Sequence, residues 1–141
     1  MSTTEPPLPL IDEHAHEVAV SPVEAWDALE RWIARHLLRP APKAFARVWR
    51  LVPASGFAVM ERRKPSRLVL IGHHRFARYE LAFEVDTVGG QTTLRARTSA
   101  EFPGVFGRLY RAAVIGSGGH AVVVRRMLRA VAHEASASRR S

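Results

Sequence analysis

The side chains able to do chemistry are few, and the histidines come first. They stand at positions 14, 16, 36, 73, 74, 120 and 133. The adjacent pair His73-His74 sits in the stretch RLVLIGHHRFARYELAFEVD, and two imidazoles suggest a metal or an acid–base site. Neighbouring side chains on a strand point to opposite faces, however, so this pair cannot share one interior ion without a bulge. His14 and His16 do share a strand face, yet no third ligand accompanies them. The expectation is no metal and no cofactor. The chain has no cysteine, which excludes disulfides, thiolate nucleophiles and cysteine zinc sites together.

His120 stands apart because it follows the run Gly116-Ser117-Gly118-Gly119. An imidazole there could donate a hydrogen bond to a ligand or move a proton near neutral pH. A histidine satisfied at a helix bend accounts for the same placement. Arg75, Arg78, Arg108 and Arg111 could grip a carboxylate or phosphate through their forked donors. Their positions on a charged parity or beside an apolar stripe read better as solvated surface. The glycine run lacks the lysine of a phosphate loop and the βαβ setting of a dinucleotide site. No G-x-S-x-G elbow is present.

These groups need a frame, and 141 residues are enough for one core in one domain. Hydrophobic residues make up 47% and charged residues 24%, the balance of an ordinary globular chain. The net charge of +8 raises nucleic-acid binding. The arginines are spread over all segments, and only pairs such as Arg62-Arg63 and Arg125-Arg126 cluster, without aromatics interleaved to stack bases. Nucleic acid is therefore not expected as a partner. The first ten residues lack a secretory pattern, and no apolar run approaches the roughly 20 residues of a membrane span. A cytoplasmic location is expected.

The patterning then gives the elements in order. A leader is expected over residues 1–11 and a disordered polar tail over 134–141, with the domain between them at 12–133. Residues 13–20 alternate as a strand, with His14, His16, Val18 and Val20 on one parity. Ser21-Pro22-x-Glu24 is a helix start with Ser21 as N-cap, and Trp26, Leu29 and Ile33 form the apolar side of the helix that follows. Pro40 and Pro42 end it. Residues 39–56 read as a connection with a short strand or helical turn near 45–52. Strands follow over 56–62, 67–73, 75–86 and 92–101, with Gly72 permitting a bend or bulge and Gly89-Gly90 making a hairpin turn. Tyr79, Leu81, Phe83 and Val85 take one face of the third of these, against Arg78, Glu80, Glu84 and Asp86. A long helix over 105–133 closes the chain, with an apolar stripe running through Phe106, Leu109, Tyr110, Ala113, Ser117, Ala121, Val124, Leu128 and Val131. The glycine run should kink or unwind it.

The opening Ser21-Pro22-Val23-Glu24-Ala25-Trp26 resembles the strand-to-helix entry of the helix-grip superfamily that unites START domains, polyketide cyclases and birch-pollen allergens (SRPBCC), with Ala25 in the place of the usual valine. The stretch from Phe102-Pro103-Gly104 to Arg111, with His120 and Arg125-Arg126-Met127-Leu128, is similar to the strand-to-helix passage of uncharacterised bacterial members. The resemblance implies an α+β fold in which a curved antiparallel sheet wraps a long C-terminal helix. It also implies an interior lined by Tyr79, Leu81, Phe83, Phe106, Tyr110, Ser117, His120, Ala121 and Val124. That interior is either a filled core or a pocket for an apolar or amphipathic small molecule. A carrier or sensor is the leading expectation. The alternatives are a cyclase- or dehydratase-like enzyme using His120 as acid or base, and an interaction module with a basic face.

Overall fold

A computed structural model describes residues 8–140. Five strands form one antiparallel sheet in the order β1-β5-β4-β3-β2, made of β1 (Leu10–Val18), β2 (Ala58–Arg63), β3 (Arg67–His74), β4 (Ala77–Val88) and β5 (Gln91–Glu101). Four helices accompany it: α1 (Pro22–His36), α2 (Lys43–Trp49), α3 (Gly104–Val114) and α4 (Gly119–Arg140). This is an α+β helix-grip arrangement, with α1 and the long α4 packed on each other and on the inner face of the sheet.

Alternation makes the sheet two-faced. On the inside, Leu68 and Leu70 of β3, Leu81, Phe83 and Val85 of β4 and Leu94 and Ala96 of β5 are buried. They meet Trp26, Leu29 and Ile33 of α1 and Val124, Leu128 and Val131 of α4 in one cluster. The outer face carries cross-strand charge pairs. Arg67 bridges Glu61 at 3.1 Å and Glu84 at 2.6 Å, and Arg95 and Arg97 both hold Glu13, at 2.8 and 3.2 Å. The Arg95 guanidinium, before that of Arg97, holds the Glu13 carboxyl below the ordinary carboxylate range.

Local chemistry sets the boundaries. Ser21 Oγ accepts the Glu24 N–H at 3.2 Å and donates to the Glu24 carboxylate at 3.1 Å, with Pro22 opening α1, so one side chain satisfies a donor that the helix cannot. Gly89 and Gly90 both take positive φ, 58° and 81°, as the tight turn between β4 and β5 requires.

Three expectations change. The helix expected over 105–133 is two helices: Ser117 Oγ accepts the Gly119 N–H while Gly118 takes a φ of 78°, and the chain restarts as α4. Gly72 makes no bulge, because β3 and β4 pair without a break from Arg67–Glu84 to His74–Ala77. The tail does not end the fold at residue 133, since α4 continues to Arg140. The part of the leader expected over 1–7 lies outside the described residues, as does Ser141, while Leu10 and Ile11 already belong to β1.

Candidate functional site

The solid cluster does not fill the space between sheet and helices. Beyond Leu81 and Val124, a cavity of about 350 Å³ remains, within the range of small-molecule sites. The period of β4 and β5 turns Ala77, Tyr79, Leu81, Thr98 and Ala100 toward it. Tyr110, Val114 and Ile115 cover it from the α3 side, and His120, Val123, Val124 and Met127 line it from α4. Leu37, Phe57 and Phe102 complete an almost wholly apolar wall.

One end of the cavity is aromatic. The ring of His74 lies 5.0 Å from Tyr110, 5.7 Å from Tyr79 and 5.8 Å from Trp49, centroid to centroid. His74 Nδ1 accepts the Phe76 N–H at 3.1 Å, so the neutral ring carries its proton on Nε2. Burial first, and the neighbouring His73 second, hold His74 below the ordinary histidine range. A neutral imidazole with a donor N–H thus stands in an apolar wall. Burial likewise raises the Tyr110 hydroxyl above the usual phenol range.

Tyr79 is pinned from outside the cavity. Its ring crosses Gly72, its cross-strand partner, and its hydroxyl donates to the Gly56 carbonyl. A Cβ at position 72 would stand 2.0 Å from that carbonyl oxygen and 2.8 Å from Tyr79 Cε2. Gly72 is glycine because two groups occupy the place of its side chain. Burial, with Tyr110 as a smaller cause, pushes the Tyr79 hydroxyl up to about 12. It serves here as a fixed wall.

The other end is polar. The register of β1 slips between Leu10 and Asp12, a bulge that brings Ile11 to the cavity wall and Asp12 beside His120. His120 Nε2 lies 3.1 Å from Thr98 Oγ1 and 3.4 Å from Asp12 Oδ1, and Asp12 Oδ2 lies 3.1 Å from His14 Nε2. Asp12 Oδ1 is buried without a hydrogen bond of good geometry. Among the described residues, no group of three His, Asp or Glu is placed to hold a metal ion.

Of the nine interior residues expected from the sequence, Tyr79, Leu81, Tyr110, His120 and Val124 meet around this cavity. Phe83 is buried in the solid cluster behind it. Ala121 is half-buried and off its wall, and Phe106 and Ser117 are exposed. The misplacement of Phe106 and Ser117 has an identifiable cause: the turn before Gly119 ends the helical period, so a stripe extended from α4 back through Ser117 runs into the turn and reaches the exposed Phe106 as well as the lining Tyr110. His74 and Asp12 were missed, although parity could have found both. His74 shares a face with Leu68 and Leu70, and Asp12 with His14, His16 and Val18.

No protein-family model matches the chain, and no curated protein matches it. Solved bacterial structures share the fold. A conserved protein from Geobacillus kaustophilus superposes with a TM-score of 0.62 at 13% identity, over 89% of this chain and 95% of that one. CV1439 from Chromobacterium violaceum gives 0.55 at 13% identity, over 89% and 96%, and TTHA0849 from Thermus thermophilus gives 0.54 at 13% identity, over 92% and 99%. At these identities the likeness establishes a common fold across nearly the whole length of each chain.

Proposed function

We propose that this chain is a helix-grip protein of the SRPBCC type that holds an apolar or amphipathic small molecule between the sheet and helices α3 and α4, as a carrier or sensor without covalent chemistry. The 350 Å³ cavity carries this reading, because burying an apolar ligand there contributes about 25 cal/mol per Å² before ordering costs. Leu81, Val124, Met127 and the ring of Tyr79 supply the apolar contact. The Tyr79 hydroxyl is engaged by Gly56 and the Ser117 hydroxyl is exposed, so neither orients the ligand. That role falls to His74 Nε2–H and the Tyr110 hydroxyl at the aromatic end. Since His74 is held neutral, the favoured polar group is an uncharged acceptor, a carbonyl or hydroxyl oxygen, over a carboxylate.

A second reading, acid–base chemistry at His120 of the cyclase or dehydratase kind, draws on one observation: the Asp12 carboxylate at 3.4 Å could steady a charged imidazole.

Native mass spectrometry of gently purified protein tests the first reading against the chain mass of 15.7 kDa. A reproducible extra mass released on denaturation is expected. An unchanged mass after incubation with fatty acids, sterols and polyketide-like aromatics would refute it.

A further inference from the structure

Helix α3 carries more apolar side chains than its covered side uses. On its inward side Tyr110 and Val114 line the cavity, and Gly107 is buried against the Phe102 backbone. Its outward side presents Val105, Phe106 and Leu109, which are 69, 73 and 63% exposed. Side chains as apolar as these call for an apolar neighbour, and among the described residues nothing covers them. Helix α2, joined to α3 through Trp49 and Tyr110 at 6.2 Å, adds exposed Phe45 and Val48 and buries no residue of its own.

The charge of the molecule is segregated onto the same segments. Residues 31–60 carry six basic residues and 102–133 carry five; together they hold none of the 13 acidic ones. The remaining ten basic residues are outnumbered by those 13, so the whole of the +8 originates in the segments that contain α2, α3 and the first two-thirds of α4. Arg108 and Arg111 flank the exposed stripe of α3, and Lys43 and Arg47 lie in α2, and neither helix contains a carboxylate.

From this coincidence of exposed apolar side chains and unbalanced positive charge, we propose that the outer face of α3, with α2 beside it, docks on the surface of an anionic lipid bilayer. Arginines beside buried aliphatic and aromatic side chains suit an interface whose outer layer is negative and whose inner layer is hydrocarbon. A second copy of this chain would set the same positive face against itself, which like charges oppose. A nucleic acid would satisfy the arginines and leave Phe106 and Leu109 in water. Val123 lines the cavity yet is 59% exposed, so the cavity opens on the α3–α4 side and docking would bring that opening near lipid. No described helix is long and apolar enough to cross a membrane, and the attachment is peripheral.

Flotation of the full chain with phosphatidylcholine vesicles, with and without phosphatidylglycerol, tests this. Binding is expected only with phosphatidylglycerol present, and it should weaken as salt is raised. Arg108→Gln and Arg111→Gln should each weaken it roughly fivefold. The pair Phe106→Ser with Leu109→Ser, which exchanges exposed side chains and leaves the core intact, should weaken it on the order of tenfold or more. Neither Phe106 nor Leu109 lines the cavity, so unchanged ligand retention in that double variant separates docking from ligand binding. Wild-type protein that floats with neither vesicle overturns the proposal. So does vesicle binding untouched by the double serine change, a dimer in solution that this change dissolves, or retention on duplex DNA without vesicle binding.

Discussion

At the scale of single residues, His74 joins structure to conditions. Its Nδ1 is committed to the Phe76 N–H, and burial holds its ring neutral below the ordinary histidine range. The folded state therefore resists the proton that the unfolded chain accepts. The contribution of neutral His74 to stability is full above the unfolded value of about 6.5, declines as pH falls through it, and stops declining below the folded value. Urea unfolding midpoints of the wild type and His74→Gln, compared from about pH 7.5 to about pH 5, should show a steeper fall for the wild type. The amide oxygen of glutamine can still accept the Phe76 N–H without titrating, and the other histidines contribute equally to both proteins. Parallel profiles would mean that His74 titrates as freely folded as unfolded. The doublet His73-His74 shows what was legible here: alternation correctly split the pair between two faces. Continuing the same parity from Leu68 and Leu70 would have carried His74 to the inner wall.

At the scale of elements, legibility followed how far each period ran unbroken. In β4 and β5 the two-residue period holds from Ala77 to Asp86 and from Thr92 to Glu101: of the expected inner residues of β4, Leu81, Phe83 and Val85 are buried and Tyr79 is half-buried, and the same period buries Leu94, Ala96, Thr98 and Ala100 of β5. Where a period is interrupted, the reading drifts. The bulge at β1 admits Ile11 to the cavity wall, and the turn before Gly119 lets α3 and α4 choose their phases separately. Position 72 has a different obstacle, for its glycine answers to Tyr79 and Gly56, seven and sixteen residues away in sequence, and no local pattern reports such a neighbour. The start of α1 was the clearest of the local signals, because its cap is made within four residues. Ser21→Ala removes the acceptor for the Glu24 N–H and should cost about 1 kcal/mol, whereas Ser21→Asn should restore most of it. Equal losses for the two variants in chemical denaturation would show that the hydroxyl contact with the Glu24 carboxylate matters more than the cap.

At the scale of the whole molecule, the grip is solid at one end and hollow at the other, and β5 samples both. Ala96 and Ala100 stand on the same face of this strand, four residues apart. Ala96 is opposite Phe83 in the filled cluster, and Ala100 is opposite Tyr79 on the cavity wall. Both are almost fully buried, at 0 and 5% exposure, so exposure alone would rank them as equivalent. Space does not. Ala96→Leu adds three carbons where none fit and should cost about 1–3 kcal/mol through displaced side chains. Ala100→Leu adds the same carbons toward an unfilled volume. It should leave stability unchanged or raise it, since filling an apolar void restores contacts that its lining lacks. The same change should lower ligand retention, because the added side chain occupies the space that a bound molecule would take. Unfolding curves for the two variants, with native mass spectra of Ala100→Leu, read both effects. Equal destabilisation would make the hollow end as tightly filled as the rest. Preserved stability with undiminished retention would keep the cavity but move the ligand elsewhere in it, away from β5.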